Sequence, residues 1–300
     1  MWNVGVKLQL HPLVNGFVPN SGESKDSPLQ LPKMKQYLKT NLALWNEWAP
    51  INAKSKSYDV EGFKSGRCTL HSTELEEIGD VVGKSLLHLQ CHFGMDTLSW
   101  ARLGAKVTGV DFSDKAIELA RSLSKELNLQ ASFICSDIYD LPQVLSDKFD
   151  IVFTSIGVLC WLPDIKGWAK IISHFLKPGG IYYIIESHPI CNIFENESYT
   201  TELKFNHTYF YSPHPTKYEP DGSYADRSSK VVNPSYEWTH NLGDIINALI
   251  STGLKIEFLH EFPFCHYDVF PFLEQTESNK WKLPHNQELI PLMFSLKATK

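Results

Sequence analysis

The 300-residue sequence predicts an α/β fold, an open and mostly parallel sheet with helices on both faces. Two observations carry that prediction. Between about residues 81 and 189, short apolar runs alternate with longer stretches of helical period, the rhythm of strand–helix–strand units joined by right-handed crossovers. The runs are also apolar at consecutive positions instead of every second one, as strands covered on both faces require.

The first 33 residues include "HPLVNGFVPNSGESKDSPLQLP", where Pro, Ser, Asn and Gly interrupt every period, so residues 1–34 are expected to form a flexible extension. From Lys35 to Trp48 apolar residues return at helical spacing, and 35–80 reads as a helical cap. The core follows over 81–189. Its strands are expected at 85–90, 106–111, 132–137, 149–155 and 181–187, and its helices at Asp96–Leu103, Ser113–Leu127 and Asp164–Leu176. Ser113 is placed to cap the second helix, and Pro178-Gly179-Gly180 to stop the third near Lys177. The stretch 190–236 breaks the rhythm. It carries Tyr199, Phe205, Tyr209, Phe210, Tyr211, Tyr218 and Tyr224 among prolines, and its length exceeds an ordinary connection of about 4 to 6 residues, so it reads as a lid. Residues 237–300 complete the sheet with a helix at 239–252 and two strands, 255–262 and 292–298, able to pair as a hairpin.

Composition narrows the function. A net charge of −6, with only four arginines among 28 basic residues, offers no cationic surface to displace counterions, so a nucleic-acid partner is not expected. No apolar run reaches the roughly 20 residues of a membrane helix, and the amino terminus lacks the pattern of an export signal. Six cysteines without a CxxC pair read as reduced thiols in a cytoplasmic protein. His88 and His92 stand four apart on a strand and a loop, not on one helical face, so no metal site is expected.

In an open parallel sheet ligands settle beyond the carboxyl ends of the strands. The first strand ends in the loop Gln90–Met95, the second in Asp111, 17 residues after Gly94, and the third in Ser136-Asp137. A carboxylate at Asp111 suits the two hydroxyls of a ribose, and Asp137 an adenine amino group, so together with the loop they describe an adenosine site. A dinucleotide carries a pyrophosphate that needs the close approach of G-x-G-x-x-G, yet here Gln90, His92 and Met95 occupy the glycine positions. S-adenosyl-L-methionine has no phosphate and tolerates bulkier residues, which favours it as the cofactor. A nicotinamide-dependent oxidoreductase and a non-catalytic adenosylmethionine-binding protein are the alternatives.

The stretch from Leu86 to Gly94 resembles the first motif of the class I S-adenosylmethionine-dependent methyltransferases. Val107–Ser113, Ser136–Pro142, Phe149–Ser155 and Leu176–Glu186 resemble the motifs that follow, over about residues 81–189. By that resemblance the fold is a Rossmann-like seven-stranded sheet whose last strand is antiparallel, and the protein methylates a small-molecule acceptor. The resemblance places cofactor contacts on His88, Gln90, Cys91, His92, Gly94, Asp96 and Thr97, on Asp111, Phe112 and Ser113, on Asp137 and Ile138, and on Ser155 and Gly157. Where the family has an acidic residue this chain has His88, so the methionine ammonium is expected to turn to Asp96 or the Gln90 amide. Asp96 has a second reading as the cap of the next helix.

The sulfonium already makes the methyl group electrophilic, so the enzyme aligns a nucleophile, strips its water and, where needed, removes a proton. Glu186 and His188, in "IIESHP" at the end of the fifth strand, are the titratable pair best placed for that proton; the alternative is that Glu186 pins a loop and His188 precedes the turn at Pro189. His207, His214 and His240 are weaker candidates, and Cys160 a remote nucleophile. No [DN]-P-P-[YF] segment follows the fourth strand, which disfavours DNA-adenine chemistry. Trp48, Tyr58 and Phe63 are expected to close over the acceptor opposite the aromatic lid.

Overall fold

The computed structural model describes residues 31–196, 199–277 and 280–300. Of the expected extension only the last four residues are described, and these belong to helix α1 (Leu31–Asn52), which therefore starts before Lys35; residues 1–30 lie outside the described set. Two short helices follow, α2 (Val60–Lys64) and α3 (Ser72–Ile78). The alternating core then runs β1 (Ser85–Leu89), α4 (Met95–Arg102), β2 (Lys106–Asp111), α5 (Asp114–Glu126), β3 (Ala131–Cys135), β4 (Phe149–Thr154), α6 (Ile165–Phe175) and β5 (Leu176–Ser187). After the aromatic stretch come α7 (Leu242–Ser251), β6 (Lys255–Phe262) and β7 (Met293–Thr299).

These seven strands form one sheet in the order β3-β2-β1-β4-β5-β7-β6. The first five are parallel, and β7 enters antiparallel between β5 and β6. The carboxyl ends of β1, β2, β3, β4, β5 and β6 therefore share one edge, and the chain reverses its order across the sheet between β1 and β4.

The consecutive apolar positions do what the sequence requires of them. Leu86 and Leu87 are both fully buried although they face opposite sides, one packing with Trp100 of α4 and the other with Trp168 of α6. Each such side chain contributes about 1.5–3 kcal/mol by burial. Ser113 caps α5 as expected, its Oγ accepting from Ala116 N at 3.0 Å. The third core helix stops two residues before Lys177: its C-cap Leu176 already belongs to β5, and Pro178-Gly179-Gly180 bulges out of that strand, where Ile151 pairs with Ile181. Proline has no N–H for a ladder and Gly179 takes φ +74°, so the chain loops at this point inside the strand instead of ending the helix.

Within 190–236 the regular structure is slight. A 3-10 turn at Pro189–Ile193 follows β5, and the pair Thr216–Tyr218 with Ser235–Glu237 forms a small antiparallel ladder. This stretch is tied to α1: Asn41 exchanges two hydrogen bonds with Tyr236 (2.7 and 2.8 Å), Glu47 accepts from Val232 N and Asn233, and Trp48 Nε1 donates to Gly222 O. Phe63 does not face the same region. It is buried in the core beneath α5, with the Arg102 guanidinium 4.1 Å from its ring centre, which corrects its assignment to an acceptor roof.

Candidate functional site

The loop between β1 and α4 has an unusual backbone. Gln90 (φ +57°), His92 (φ +53°) and Gly94 (φ +80°) all take left-handed conformations. For a residue with a Cβ this conformation costs roughly 1–2 kcal/mol, so two of the three positions carry strain that glycine would avoid. Only Gly94 is compelled by space: a Cβ there would stand 2.7 Å from the Phe133 ring and 3.0 Å from Ala120. The loop shape that the spacing of glycines usually provides is therefore kept by a chain with one glycine, under strain that the surroundings must hold.

Asp111 supplies much of that hold. Its Oδ2 accepts from His92 N at 2.8 Å and its Oδ1 from Ser113 N at 2.9 Å, joining the loop to the start of α5. Burial pushes its carboxyl up to about 6, against the opposing pull of these N–H donors. Phe112 lies half-buried between Asp111 and Ser113, and Ser113 Oγ donates to Asn46 Oδ1 of α1 at 2.6 Å. Asp137 lies two residues beyond the end of β3, half-buried, with Oδ1 accepting from Tyr139 N; Ile138 packs inward beside it. The structure thus brings the loop, Asp111 and Asp137 to neighbouring strand ends, as the sequence led us to expect.

His88 and Thr97 are turned to internal bonding. The His88 ring sits fully buried with Nδ1 2.9 Å from Thr97 Oγ1 and Nε2 3.1 Å from Ser155 Oγ, and burial pushes it down to about 3, so it is a neutral link between α4 and the end of β4. With both ring nitrogens engaged, His88, Thr97 and Ser155 hold the site's floor together. Asp96 is not a helix cap, because the cap position of α4 is Gly94 and its side chain instead meets Thr69. Cys91 is buried, its thiol pushed up by desolvation, and its Sγ lies where a Cβ on Gly109 would come within 2.8 Å.

Several polar atoms at the loop are buried and lack a protein partner. Gln90 Nε2 donates to Val158 O at 3.2 Å, but its Oε1 is unpaired, as are His92 Nε2, Trp45 Nε1 and Asn52 Nδ2. An unpaired buried group costs about 1–3 kcal/mol, so these atoms have bonding capacity that the protein leaves unused. Around them stand aromatic rings. Trp45 lies edge-on to Trp48, His92 and Trp161, each with ring centres 5.2 Å apart, while Tyr224 packs against Trp45, Trp48 and Tyr58 and bonds Tyr58 through their hydroxyls. Burial pushes His92 down to about 3 and drives the Tyr58 hydroxyl well up, so both are neutral.

The predicted catalytic pair has other duties. Glu186 accepts four backbone N–H bonds, from Gly157 (2.6 Å), Val158 (2.8 Å), Leu159 (3.2 Å) and Ser187 (2.8 Å). Its carboxylate is saturated and pins the loop after β4, including the left-handed Gly157, which corrects its reading as a base. His188 is buried with Nδ1 accepting from Ile190 N, and its Nε2 stands 2.9 Å from Glu261 Oε1, close but outside hydrogen-bond alignment. Burial pushes this ring down while Glu261 pulls it up, and it caps the turn at Pro189 facing β6 and β7 instead of the loop. His240 is likewise buried, 2.6 Å from Leu162 O, and burial pushes the Cys160 thiol well up.

Sequence reasoning missed Trp45, Asn46 and Asn52. A signal was present: Asn41, Trp45, Trp48 and Asn52 recur at helical spacing, an indole and amide stripe on one face of α1 where an ordinary core face would carry aliphatic residues.

A family described as "Methyltransferase domain" matches residues 87–184, from β1 into β5. This stretch, with the strand order above, resembles that of the class I S-adenosylmethionine-dependent methyltransferases. A "Ubiquinone biosynthesis O-methyltransferase" of Xanthomonas oryzae pv. oryzae is 28% identical over 145 residues, 47% of this chain and 56% of the relative. One of the same name from Idiomarina loihiensis is 35% identical over 98 residues, 33% and 40% of the two chains. The chain thus spans about half the length of the curated relatives it matches. Among solved structures, an S-adenosylmethionine dependent methyltransferase from Mesorhizobium loti has the same fold, with TM-score 0.56 and 20% identity over 79% of this chain and 100% of that one. Among the described residues no helix is long and apolar enough to cross a membrane, and no cluster of three or more His, Cys, Asp or Glu is arranged for a metal.

Proposed function

We propose that this protein transfers a methyl group from S-adenosyl-L-methionine to a small-molecule acceptor. The observation that carries the reading is the left-handed Gln90–Gly94 loop clasped by Asp111 within the segment matched to the methyltransferase domain. The residues present fit this cofactor. Gln90 Oε1, a buried acceptor without a partner, suits an ammonium group and takes the place of the missing acidic side chain. Asp111 suits the ribose hydroxyls, with Asp137, Ile138 and Phe112 around the base. Asp96, engaged with Thr69, is the second candidate for the ammonium. When bound, the cofactor supplies a methyl group already activated by its sulfonium.

The chain's own residues then bind, orient and exclude water. Trp45, Trp48, Trp161, Tyr58 and Tyr224 form a roof that desolvates whatever lies beneath it. Ring faces also favour a neighbouring cation by about 0.5–2 kcal/mol, which suits a sulfonium. Among the described residues at the site, Glu186 already accepts four N–H bonds, and burial pushes the His92 ring down to about 3, which makes it too weak a base to hold a proton at neutral pH. The reading is therefore of an enzyme that works mainly by alignment, with an acceptor acidic enough to arrive deprotonated or able to shed its proton to solvent. Six cysteines, none in a disulfide, support a cytoplasmic location.

Calorimetry with adenosylmethionine, adenosylhomocysteine and NADH, together with labelled-methyl turnover on a metabolite pool, tests this. Binding of both sulfur nucleosides with release of adenosylhomocysteine is expected. Binding of NADH in their place refutes the reading, and binding without turnover reduces the protein to a sensor of the cofactor.

A further inference from the structure

A cavity of about 420 Å³ opens between the segment that leads into α3 and the long connection from β6 to β7. Its size suits a small ligand. Because β6 ends on the same edge as β1 and β4, the connection after it, which supplies His266, Gln275 and Lys280, crosses the carboxyl side of the sheet. The opposite wall is Arg67–Ser72. Thr69 in that wall is bound to α4 through Ser99 Oγ (2.9 Å) and to Asp96, which lies two residues after Gly94. The cavity therefore adjoins the first turn of the helix that starts at the cofactor loop.

Its chemistry differs from that of the aromatic roof. Two cations line it, Arg67 and Lys280, and among the described residues no carboxylate does. Arg67 is held in place by Asp59 (Nε to Oδ2, 3.1 Å) and by the carbonyls of Tyr58 and Asp59, while Lys280 Nζ lies 3.9 Å over the Phe264 ring. Between them the imidazoles of His71 and His266 stack face to face, 3.7 Å apart and 1° from parallel. Two charged rings at that distance would repel, and burial with the neighbouring cations pushes His71 down to about 4 and His266 to about 3, so both are neutral. His266 Nε2 is buried without a partner. A neutral ring nitrogen can carry the proton as a donor, which places an unused donor on the cavity wall beside Lys280 and the Asp59-paired Arg67. That is the complement of an anion, whose oxygens accept charge-assisted bonds from such groups.

We infer that this cavity receives an anionic group, a carboxylate or a phosphate, carried by the methyl acceptor. The inference rests on the methyltransferase reading for the word acceptor, but the anion site itself can be tested apart from it. Ring Cε1–H resonances of His71 and His266 are followed by NMR at constant ionic strength while inorganic phosphate, and separately succinate, is added. Saturable shifts are expected, at least about tenfold weaker in Lys280→Ala and persisting when adenosylhomocysteine is present at saturation. The probe that saturates at lower concentration names the group. Resonances that fail to move in the unaltered protein, or move equally in Lys280→Ala, overturn the anion site. Displacement of the anion by adenosylhomocysteine overturns its assignment to the acceptor, since the cavity would then serve the carboxylate of the cofactor. In turnover, acidic acceptors should lose about tenfold in kcat/KM in Lys280→Ala with adenosylhomocysteine affinity unchanged. A neutral acceptor used equally well by both proteins overturns the assignment. Failure to bind adenosylhomocysteine at all would instead sink the methyltransferase reading and leave the anion titration standing.

Discussion

Asp111→Ala separates the site's function from its architecture. The substitution removes the acceptor of two N–H bonds, from His92 and Ser113, and leaving two buried donors unpaired costs about 2–6 kcal/mol. It also removes a buried charge. With the carboxyl raised from 3.8 to about 6, ionisation at neutral pH opposes folding by about 3 kcal/mol. The two terms largely offset, so the net loss of stability is expected to stay within about 3 kcal/mol. Binding has no such compensation. Losing charge-assisted bonds to the ribose hydroxyls should weaken adenosylhomocysteine by about 1–3 kcal/mol, roughly 5- to 150-fold. Calorimetric titration reads the affinity, and denaturant unfolding the stability, on the same preparation. A folded variant that binds within about twofold of the parent removes Asp111 from the site. A variant that does not fold refutes the offset worked out here.

The same group predicts a pH dependence. Its folded-state value lies above its unfolded one, so between pH 3.8 and about 6 the native protein holds the extra proton, and the Asp111 contribution to stability falls as pH rises through that window and is flat above it. Stability of the parent minus that of Asp111→Ala, measured from pH 3.5 to 7.5, isolates the slope; a difference that rises with pH contradicts the buried-carboxylate account. Gly94→Ala should destabilise the fold by about 2–5 kcal/mol, combining left-handed strain with a Cβ 2.7 Å from Phe133, and a melting temperature unchanged within a degree would show that the loop relaxes freely. Glu186→Gln should lose the acceptor of two of the four N–H bonds and speed hydrogen exchange either at Gly157 and Ser187 or at Val158 and Leu159, the pairs that share one oxygen; if exchange at all four is unaltered while turnover collapses, Glu186 belongs to the chemistry after all.

How much of this was legible beforehand depends on the range of the interactions involved. The strand–helix alternation, the doubly buried strands and the Ser113 cap are local or nearly so, written in apolar spacing and in one hydroxyl at the right step, and they fixed the sheet and the edge where ligands bind. Loop and carboxylates at the strand ends followed from that sheet. What each side chain does there was decided across the chain. Glu186 and His188 have the chemistry of a base in any list of residues, yet the protein spends one on three distant N–H groups and that of Ser187, and the other on a turn and Glu261, because buried charge and buried imidazole take whatever partners packing brings. Trp45 of α1, Trp161 after β4 and Tyr224 of the long insertion lie 63 residues or more apart and meet where Asn41, Glu47 and Trp48 bind that insertion to α1. Periodicity reports which face of a helix is buried, and only the folded chain reports what that face is buried against.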